Sequence, residues 1–234
     1  MSSRPPVAVA LDAPELATVT RWAAEVEPFV TTLKVGLELF DAVGQHGVEQ
    51  VRAAAPTCEL FLDLKLHDIP HTVAGAARSL GPLQPDLLTV HALGGTAMVQ
   101  AACEALPDTL VIAVTVLTSM SAADQSEVGV AGTPEDAVLR LAQLAVNAGA
   151  RGVVCSPHEV AAVRRVVGPD VRLVTPGVRP VGAAVSDQRR VATPAQALLD
   201  GADLLVIGRP ITAAETPAEA AAQIAREINA QVIA

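Results

Sequence analysis

Tyrosine is absent from this sequence of 234 residues, and the other aromatic residues are one tryptophan and three phenylalanines. Because 51% of the residues are hydrophobic, a large core is possible, but it must be built from aliphatic side chains. Lysine is also scarce, since only Lys34 and Lys65 among the sixteen cationic residues are lysines. An ammonium is compact and can release a proton, which a guanidinium practically cannot do. The two lysines are therefore candidate functional residues.

The three cysteines, Cys58, Cys103 and Cys155, are far apart and form no CxxC pair. This spacing argues against structural zinc and a disulfide framework, and it indicates a reducing, cytoplasmic setting. The net charge of −9 argues against a nucleic-acid or anionic-membrane surface. The longest uncharged stretch, residues 87–103, is interrupted by polar residues and too short for a membrane span, and the N-terminus does not resemble a signal peptide.

Short apolar runs alternate with longer amphipathic runs along the whole chain. The amphipathic runs predict helices, for example over residues 15–29, 73–80, 134–148 and 218–228. The apolar runs predict eight strands, over residues 7–11, 32–36, 60–65, 87–91, 110–116, 152–155, 172–175 and 204–207. Strands that are apolar on both faces and alternate with helices indicate a parallel sheet covered by helices.

Eight such units in a chain of this length favour an α/β fold, a closed (β/α)8 TIM barrel, as a single domain over residues 1–234. The rival fold is an open doubly wound sheet, but no GxGxxG motif follows the first predicted strand. Helix boundaries agree with the pattern, because Thr133, Pro134 and Glu135 are typical of a helix start and Gly149 of a helix stop.

The third predicted strand contains two opposite charges. In the segment FLDLKL, residues 61, 63 and 65 share one face and the leucines share the other. If helices cover the leucines, Asp63 and Lys65 point into the barrel, where buried charges are costly unless they pair. The alternative is a solvent-facing ion pair on an amphipathic antiparallel strand, and the apolar neighbouring strands argue against it.

Polar residues also occur at the ends of other predicted strands, where barrel enzymes form their active sites. They are Asp12, Lys34 and His91 at or near strands 1, 2 and 4, Thr118 after strand 5, Arg179 after strand 7, and Gly208 with Arg209 after strand 8. The loops after strands 7 and 8 commonly bind phosphate. Gly208 would offer an unhindered backbone N–H there, and Arg209 a guanidinium fork for phosphate oxygens.

Nine short segments, distributed from the first predicted strand to the last, match the motifs of one enzyme family. They are VALD (9–12), LKVGLELF (33–40), FLDLKLHDIPHTV (61–73), TVHALGG (89–95), AVTVLTSM (113–120), VVCSP (153–157), TPGVRP (175–180), SDQRRVATP (186–194) and VIGRPI (206–211). In these segments the sequence resembles the bacterial type of the orotidine 5′-phosphate decarboxylase family. The DxKxxD core is shared with a wider superfamily, whereas the full set is specific.

The resemblance implies a charged array at the reacting centre. Asp12 and Lys34 would contact ribose hydroxyls, and Lys34 would also join an array with Asp63, Lys65 and Asp68. Asp68 would reach into the site of a neighbouring subunit. The resemblance therefore implies a homodimer with shared active sites.

The resemblance also implies how the remainder of the nucleotide is bound. Thr72 would contact the ligand near the neighbouring site, and Thr118 would contact the pyrimidine. Arg179 and Gln188 would belong to a closing lid over residues 178–188, with Gln188 bridging base and phosphate.

Gly208 and Arg209 would hold the phosphate. Ser186 departs from the glycine that the family often has, which concerns lid flexibility and not the chemistry. The absence of tyrosine excludes a tyrosine–phosphate contact.

The activity that the resemblance implies is cofactor-free decarboxylation of orotidine 5′-monophosphate to UMP and carbon dioxide, the last step of de novo UMP biosynthesis. Loss of carbon dioxide from C6 leaves a vinyl carbanion, which Lys65 would stabilise and protonate. Asp63 would lie near the substrate carboxylate and favour its departure. Neither a metal nor an organic cofactor is expected.

Three other functions stay open. A ketogulonate-phosphate decarboxylase shares Asp63, Lys65 and Asp68 but uses magnesium and has an acidic residue where Lys34 stands. A ribulose-phosphate epimerase would need metal-ligating histidines at several strand ends, whereas His91 is the clearest one here. A phosphate-binding barrel without catalysis is the non-enzymatic alternative, and the intact charged residues argue against it.

Overall fold

The computed structural model describes residues 4–179 and 192–232, which form one closed barrel of eight parallel strands. The strands are β1 (Val7–Ala10), β2 (Thr32–Gly36), β3 (Glu59–Leu66), β4 (Leu87–His91), β5 (Leu110–Val114), β6 (Gly152–Val154), β7 (Arg172–Pro176) and β8 (Leu204–Ile207). Each strand pairs with its neighbours in the sequence, and β8 closes the barrel against β1. The predicted TIM barrel is confirmed, and the open sheet is excluded.

Helices follow the strands and cover the outside of the barrel. In the part of the chain that the structure describes, the α-helices are α1 (Leu16–Val26), α2 (Leu37–Ala54), α3 (Pro70–Leu80), α4 (Thr96–Ala105), α5 (Ala122–Glu127), α6 (Pro134–Asn147), α7 (Val160–Val167), α8 (Pro194–Leu199), α9 (Arg209–Thr212) and α10 (Pro217–Val232). Short 3-10 helices span Glu27–Phe29, Gly81–Leu83 and Ala92–Gly94. Within residues 4–179 and 192–232, every helix is too short or too polar to span a lipid bilayer.

The hydrophobic core has an inner and an outer layer. The outer layer lies between strands and helices and includes Leu60, Leu62 and Leu64, as the alternation in β3 predicted. The inner layer fills the barrel with six fully buried side chains, Ala8, Phe61, Leu87, Ile112, Val174 and Leu204. Such a filled interior leaves the carboxyl ends of the strands as the place for a pocket.

An ion pair, which the sequence did not predict, lies at the amino ends of the strands. Arg172, the first residue of β7, donates two hydrogen bonds to the carboxylate of Glu59, the first residue of β3, at 2.8 and 3.1 Å. Thr32 donates a third hydrogen bond to Glu59 at 2.8 Å. Burial would raise the pKa of Glu59, but the guanidinium and the hydroxyl outweigh burial and lower it. Glu59 is therefore held as a carboxylate across the barrel.

The ends of several elements agree with the sequence signals. Helix α6 begins with a capping box in which Thr133 and Asp136 exchange hydrogen bonds, and Pro134 is its first residue. Gly149 follows the helix with a φ of +100°, a conformation that favours glycine. Other boundaries differ slightly: α3 begins at Pro70 and not at residue 73, because proline is favoured in a first turn, and β5 ends at residue 114.

Candidate active site

A cleft of about 300 Å³ opens at the carboxyl ends of β1, β2, β3, β7 and β8. Its lining includes most of the predicted site residues: Asp12, Lys34, Asp63, Lys65, Arg179, Gly208 and Arg209. These residues are far apart in the sequence, but parallel strands bring their carboxyl ends to the same face of the barrel. The structure therefore brings these seven residues together at the carboxyl end of the barrel.

Four of these side chains form a continuous row of charges. The Nζ atom of Lys34 lies 3.3 Å from Asp12 Oδ1 and 3.2 Å from Asp63 Oδ2. The Nζ atom of Lys65 lies 2.8 Å from Asp63 Oδ1. The signs alternate along the row, so each ammonium lies beside a carboxylate and the four charges balance.

Asp63 is the more deeply buried of the two carboxylates in this row. Its side chain is 13% exposed, whereas that of Asp12 is 52% exposed. Burial alone would raise the pKa of Asp63. The charges of Lys34 and Lys65, together with hydrogen bonds from Lys65 and Thr89, outweigh burial and hold this pKa below its ordinary value. Asp63 is therefore ionised at neutral pH and pairs with both lysines.

Strand β3 reaches the cleft through a β-bulge. Its pairing with β4 shifts register between Leu62 and Leu66, and Lys65 has a φ of +49°. This left-handed conformation is uncommon for a residue with a side chain. The regular alternation predicted for residues 61, 63 and 65 therefore ends at Asp63, and the bulge sets the direction of Lys65.

Thr89, on β4, lies opposite the bulge and was not predicted as a site residue. Its hydroxyl accepts a hydrogen bond from the backbone N–H of Lys65 at 2.9 Å and donates one to Asp63 Oδ1 at 3.0 Å. The residue is fully buried. A single threonine in an apolar strand is an ordinary residue, so only the tertiary contacts reveal it.

Gly36, the last residue of β2, is a second residue that the sequence reasoning missed. An added Cβ atom would lie 2.8 Å from Asp12 Oδ1 and 3.0 Å from Lys34 Nζ. Both distances are shorter than a normal contact, so a larger residue would displace the ion pair. Because Gly36 has no side chain, Asp12 and Lys34 have room to form their ion pair.

Asp68, Thr72 and His91 do not line the cleft of this chain. Asp68 and Thr72 are exposed, and the Asp68 carboxylate accepts a hydrogen bond from the N–H of Ile69 at 2.6 Å. The His91 ring lies 5.3 Å from that of His67, and burial, followed by the charges of His67 and Lys65, lowers its pKa. The roles predicted for Asp68 and Thr72 would need a neighbouring subunit, and they stay predictions.

The end of the cleft after β7 and β8 is lined by Arg179, Gly208 and Arg209. The N–H of Arg179 donates to the carbonyl of Ala192 at 3.0 Å, so the chain returns beside β7 before α8. Gln188, together with Ser186 and most of the predicted lid over residues 178–188, lies outside the described residues. This end of the cleft therefore holds two arginines and a glycine near the positions expected for phosphate.

A second, apolar lobe of about 170 Å³ adjoins the cleft. Thr118 lines this lobe with mostly aliphatic side chains, among them Val114, Leu117 and Val154. Asp63 and Lys65 line both the lobe and the cleft. The pocket thus has a polar half and an apolar half, with the charged row at their junction.

A sequence model described as "Orotidine 5'-phosphate decarboxylase / HUMPS family" matches residues 5–224. The chain belongs to this family. A protein named orotidine 5′-phosphate decarboxylase from Thermobifida fusca is 64% identical over 224 residues and covers 96% of both chains. A protein of the same name from Frankia casuarinae is 55% identical over 243 residues, which cover 97% of this chain and 89% of that protein. The family predicted from the sequence is confirmed.

Solved structures of similar proteins have the same fold. The crystal structure of orotidine 5′-phosphate decarboxylase from Lactobacillus acidophilus superposes with a TM-score of 0.83 at 36% identity, covering 97% of this chain and all of that one. An uncharacterised conserved protein from Geobacillus kaustophilus superposes with a TM-score of 0.83 at 34% identity, covering 96% of this chain and 100% of that chain. The barrel of this decarboxylase / HUMPS family member is therefore shared with solved relatives.

Proposed function

We propose that this protein converts orotidine 5′-monophosphate to UMP and carbon dioxide without a metal or organic cofactor, as the last step of de novo UMP biosynthesis. The observation that carries the proposal is the position of Lys65. This residue borders both halves of the pocket, and its Nζ atom lies 2.8 Å from Asp63. A nucleotide with its base in the apolar half and its phosphate in the polar half would place its reacting carbon beside this ammonium.

The shape of the pocket supports this orientation of the substrate. The apolar lobe suits a pyrimidine ring, and Thr118 offers a hydroxyl to its polar edge. Asp12 and Lys34 can contact ribose hydroxyls in the cleft. The phosphate would then reach the loops after β7 and β8, where Gly208 offers a backbone N–H and Arg209 a guanidinium.

The proposed chemistry needs only one proton donor. The bond between C6 and the carboxylate carbon breaks, its electron pair stays on C6, and carbon dioxide leaves. The ammonium of Lys65 stabilises the carbanion and then transfers a proton from Nζ to C6. The neutral amine regains a proton from water. Because Lys34 and Asp63 at the centre of the charged row are largely removed from solvent, the electrostatic effect of the row on the carbanion is stronger than it would be in water.

Asp63 has two effects in this mechanism. Its carboxylate contacts the Lys65 ammonium at 2.8 Å and so holds the group that donates the proton in place. The same charge near the substrate carboxylate would favour loss of carbon dioxide. Both effects require Asp63 to be ionised, and its lowered pKa meets that requirement.

Lys34 supports chemistry without magnesium. Its ammonium lies within 3.3 Å of the carboxylates of both Asp12 and Asp63, so the protein itself supplies the cation at this point. Magnesium would instead need oxygen ligands in an octahedral arrangement. The ketogulonate-phosphate alternative expects an acidic residue at this position, so Lys34 favours the orotidine nucleotide as substrate.

Phosphate binding would contribute to catalysis at a distance. The phosphate does not react, so its binding energy can be used to close a lid and exclude water. We assign this lid to residues 178–188, with Arg179 and Gln188 contacting the nucleotide. Closure would surround the reacting carbon and strengthen the charges around it.

We also propose a cytoplasmic homodimer in which Asp68 and Thr72 complete the neighbouring site. Both residues are exposed in the single chain, and Ile69, which lies between them in the sequence, is 65% exposed. Leu93, at the adjacent strand end, is 45% exposed. Exposed apolar side chains beside a functional carboxylate are typical of a surface that another subunit covers.

The experiment that tests the function follows the ultraviolet absorbance of orotidine 5′-monophosphate with purified protein in excess chelator. The wild type should convert the substrate fully, and Lys65→Ala should be slower by at least about a thousandfold. Lys65→Arg is the matched control, because it retains the charge but cannot readily release a proton. It should be nearly as slow as Lys65→Ala.

The outcomes separate the alternatives. Conversion that stops in chelator and returns with magnesium would contradict the cofactor-free mechanism. An active Lys65→Ala variant would contradict the role of Lys65 as proton donor. A folded wild type that binds UMP but converts no substrate would leave a nucleotide-binding barrel without this activity.

A further inference from the structure

The β-bulge at Lys65 places a backbone N–H where the regular ladder between β3 and β4 is interrupted. The hydroxyl of Thr89 accepts a hydrogen bond from this N–H of Lys65 at 2.9 Å. The same hydroxyl donates to Asp63 Oδ1 at 3.0 Å, and Lys65 Nζ contacts that oxygen at 2.8 Å. The buried Thr89 hydroxyl is therefore hydrogen-bonded both to the backbone of Lys65 and to the Asp63 carboxylate, which the Lys65 ammonium also contacts.

We propose that Thr89 is a positioning residue for Lys65. Its hydroxyl fixes the strained backbone of Lys65 and the Asp63 carboxylate relative to each other, and so fixes the direction in which the ammonium points. The inference rests on the proposed role of Lys65 as proton donor. It adds Thr89, on the adjacent strand β4, as the residue that orients the Lys65 ammonium.

A threonine is suited to this position for two reasons. Its hydroxyl is both a donor and an acceptor, so it satisfies the N–H and the carboxylate together. Its β-branched side chain is restricted at χ1, so a fully buried Thr89 holds the hydroxyl in one direction. Without the hydroxyl, Lys65 could leave its left-handed conformation, and a displacement of about 1 Å at a reacting group can cost about 100-fold in rate.

The test compares Thr89→Val, which replaces the hydroxyl by a methyl group, with Thr89→Ser, which retains it. We expect kcat to fall about 10- to 100-fold in Thr89→Val, with KM within about threefold because the phosphate contacts are unchanged. Thr89→Ser should recover most of the lost rate. Thr109→Val is the control, because Thr109 is also buried but donates to the Pro85 carbonyl at the opposite end of the barrel.

Three outcomes would overturn the inference: a wild-type kcat in Thr89→Val, a Thr89→Ser variant as slow as Thr89→Val, or an equal loss in Thr109→Val. Should Thr89→Val not fold, Thr89→Ala removes the same hydroxyl without placing a methyl group against the buried N–H, and UMP binding confirms its fold. Lys65→Ala is measured in parallel. An inactive Lys65→Ala beside a fully active Thr89→Val refutes only the role of Thr89, whereas an active Lys65→Ala refutes the proposed mechanism itself.

Discussion

Lysine and arginine have different places in the pocket, and their chemistry explains the difference. Lys34 and Lys65 lie in the charged row, where a compact ammonium fits among carboxylates at 2.8 to 3.3 Å. A guanidinium is planar and wider, and it would not release a proton at neutral pH. Arg179 and Arg209 line the end of the cleft that we propose for the phosphate, where a planar fork would match phosphate oxygens. The different chemistry of the two groups thus explains why the two lysines of the sequence both lie in the charged row.

Arg209→Ala should lower kcat/KM for orotidine 5′-monophosphate by about 100-fold or more, because a charge-assisted contact to phosphate is worth about 3 kcal/mol. The fold should be unchanged, since Arg209 lines the cleft and not the core. Steady-state kinetics with orotidine 5′-monophosphate and with orotidine, which lacks the phosphate, would measure the effect.

Arg165→Ala is the control for this prediction, because Arg165 is an exposed arginine on α7. It should leave both rates unchanged. On orotidine, the wild type and Arg209→Ala should be equally slow. A loss on orotidine as large as the loss on the nucleotide would show that Arg209 does not act through the phosphate.

Strand β3 links the stability of the barrel to its chemistry. Its inward-facing residues are, in order, Glu59 in the ion pair with Arg172, Phe61 in the inner core and Asp63 in the charged row. In TIM barrels the amino ends of the strands serve stability and the carboxyl ends serve function. In β3, Glu59 at the stabilising end and Asp63 at the functional end are only a few residues apart.

Removing one partner of the Glu59–Arg172 pair should therefore affect stability and not activity. We expect Arg172→Ala to lower the free energy of unfolding by about 1–2 kcal/mol, because Glu59 loses its countercharge but keeps partial access to solvent. The kcat/KM value should stay near that of the wild type. Urea unfolding and steady-state kinetics on the same samples would check both statements.

The double variant Glu59→Leu with Arg172→Met is the matched comparison, since it replaces the pair by apolar groups of similar volume. It should be more stable than Arg172→Ala, because no unpaired carboxylate is left inside the barrel. If the double variant and Arg172→Ala were equally unstable, the unpaired Glu59 carboxylate would not be the cause of the lower free energy of unfolding.

The closed barrel explains how distant parts of the sequence form one pocket. Asp12 follows β1 and Arg209 follows β8, and the pairing of β8 with β1 makes them neighbours across the cleft. The proposed homodimer extends this principle beyond one chain. Asp68 and Thr72 are exposed in the single chain, so their predicted contacts need a second subunit.

Complementation between inactive variants tests the shared site. Asp68→Ala and Lys65→Ala should each be nearly inactive alone. After unfolding and refolding together in equal amounts, half of the dimers should be mixed, and each should contain one intact site. Activity should then return to about a quarter of the wild-type level, as random pairing of two subunits requires.

Lys65→Ala refolded with Lys34→Ala is the control, because these two residues belong to the same row within one chain. In this control, each mixed dimer has one site without Lys65 and one site without Lys34. Both sites of a mixed dimer are therefore damaged, so no recovery is expected there. Recovery in this control, or none in the Asp68 mixture, would contradict the sharing of Asp68.

The sequence by itself determined the class of fold and which charged residues meet in the cleft. Eight apolar runs alternating with amphipathic ones are sufficient to indicate a parallel barrel, and polar residues at the ends of those runs, such as Asp12, Lys34 and Arg209, are then directed to one face. Asp63 could be predicted from the period of two along β3. These inferences depend on local pattern and on the parallel arrangement, which the sequence specifies.

The tertiary structure alone decided the features that depend on contacts between strands. The bulge at Lys65 arises from a register shift against β4, and Thr89 and Gly36 matter because of the atoms that surround them. The Glu59–Arg172 pair joins opposite sides of the barrel. A register shift, a buried hydroxyl and a missing Cβ have no periodic signature in a sequence, because their effect depends on distances that exist only after the barrel has closed.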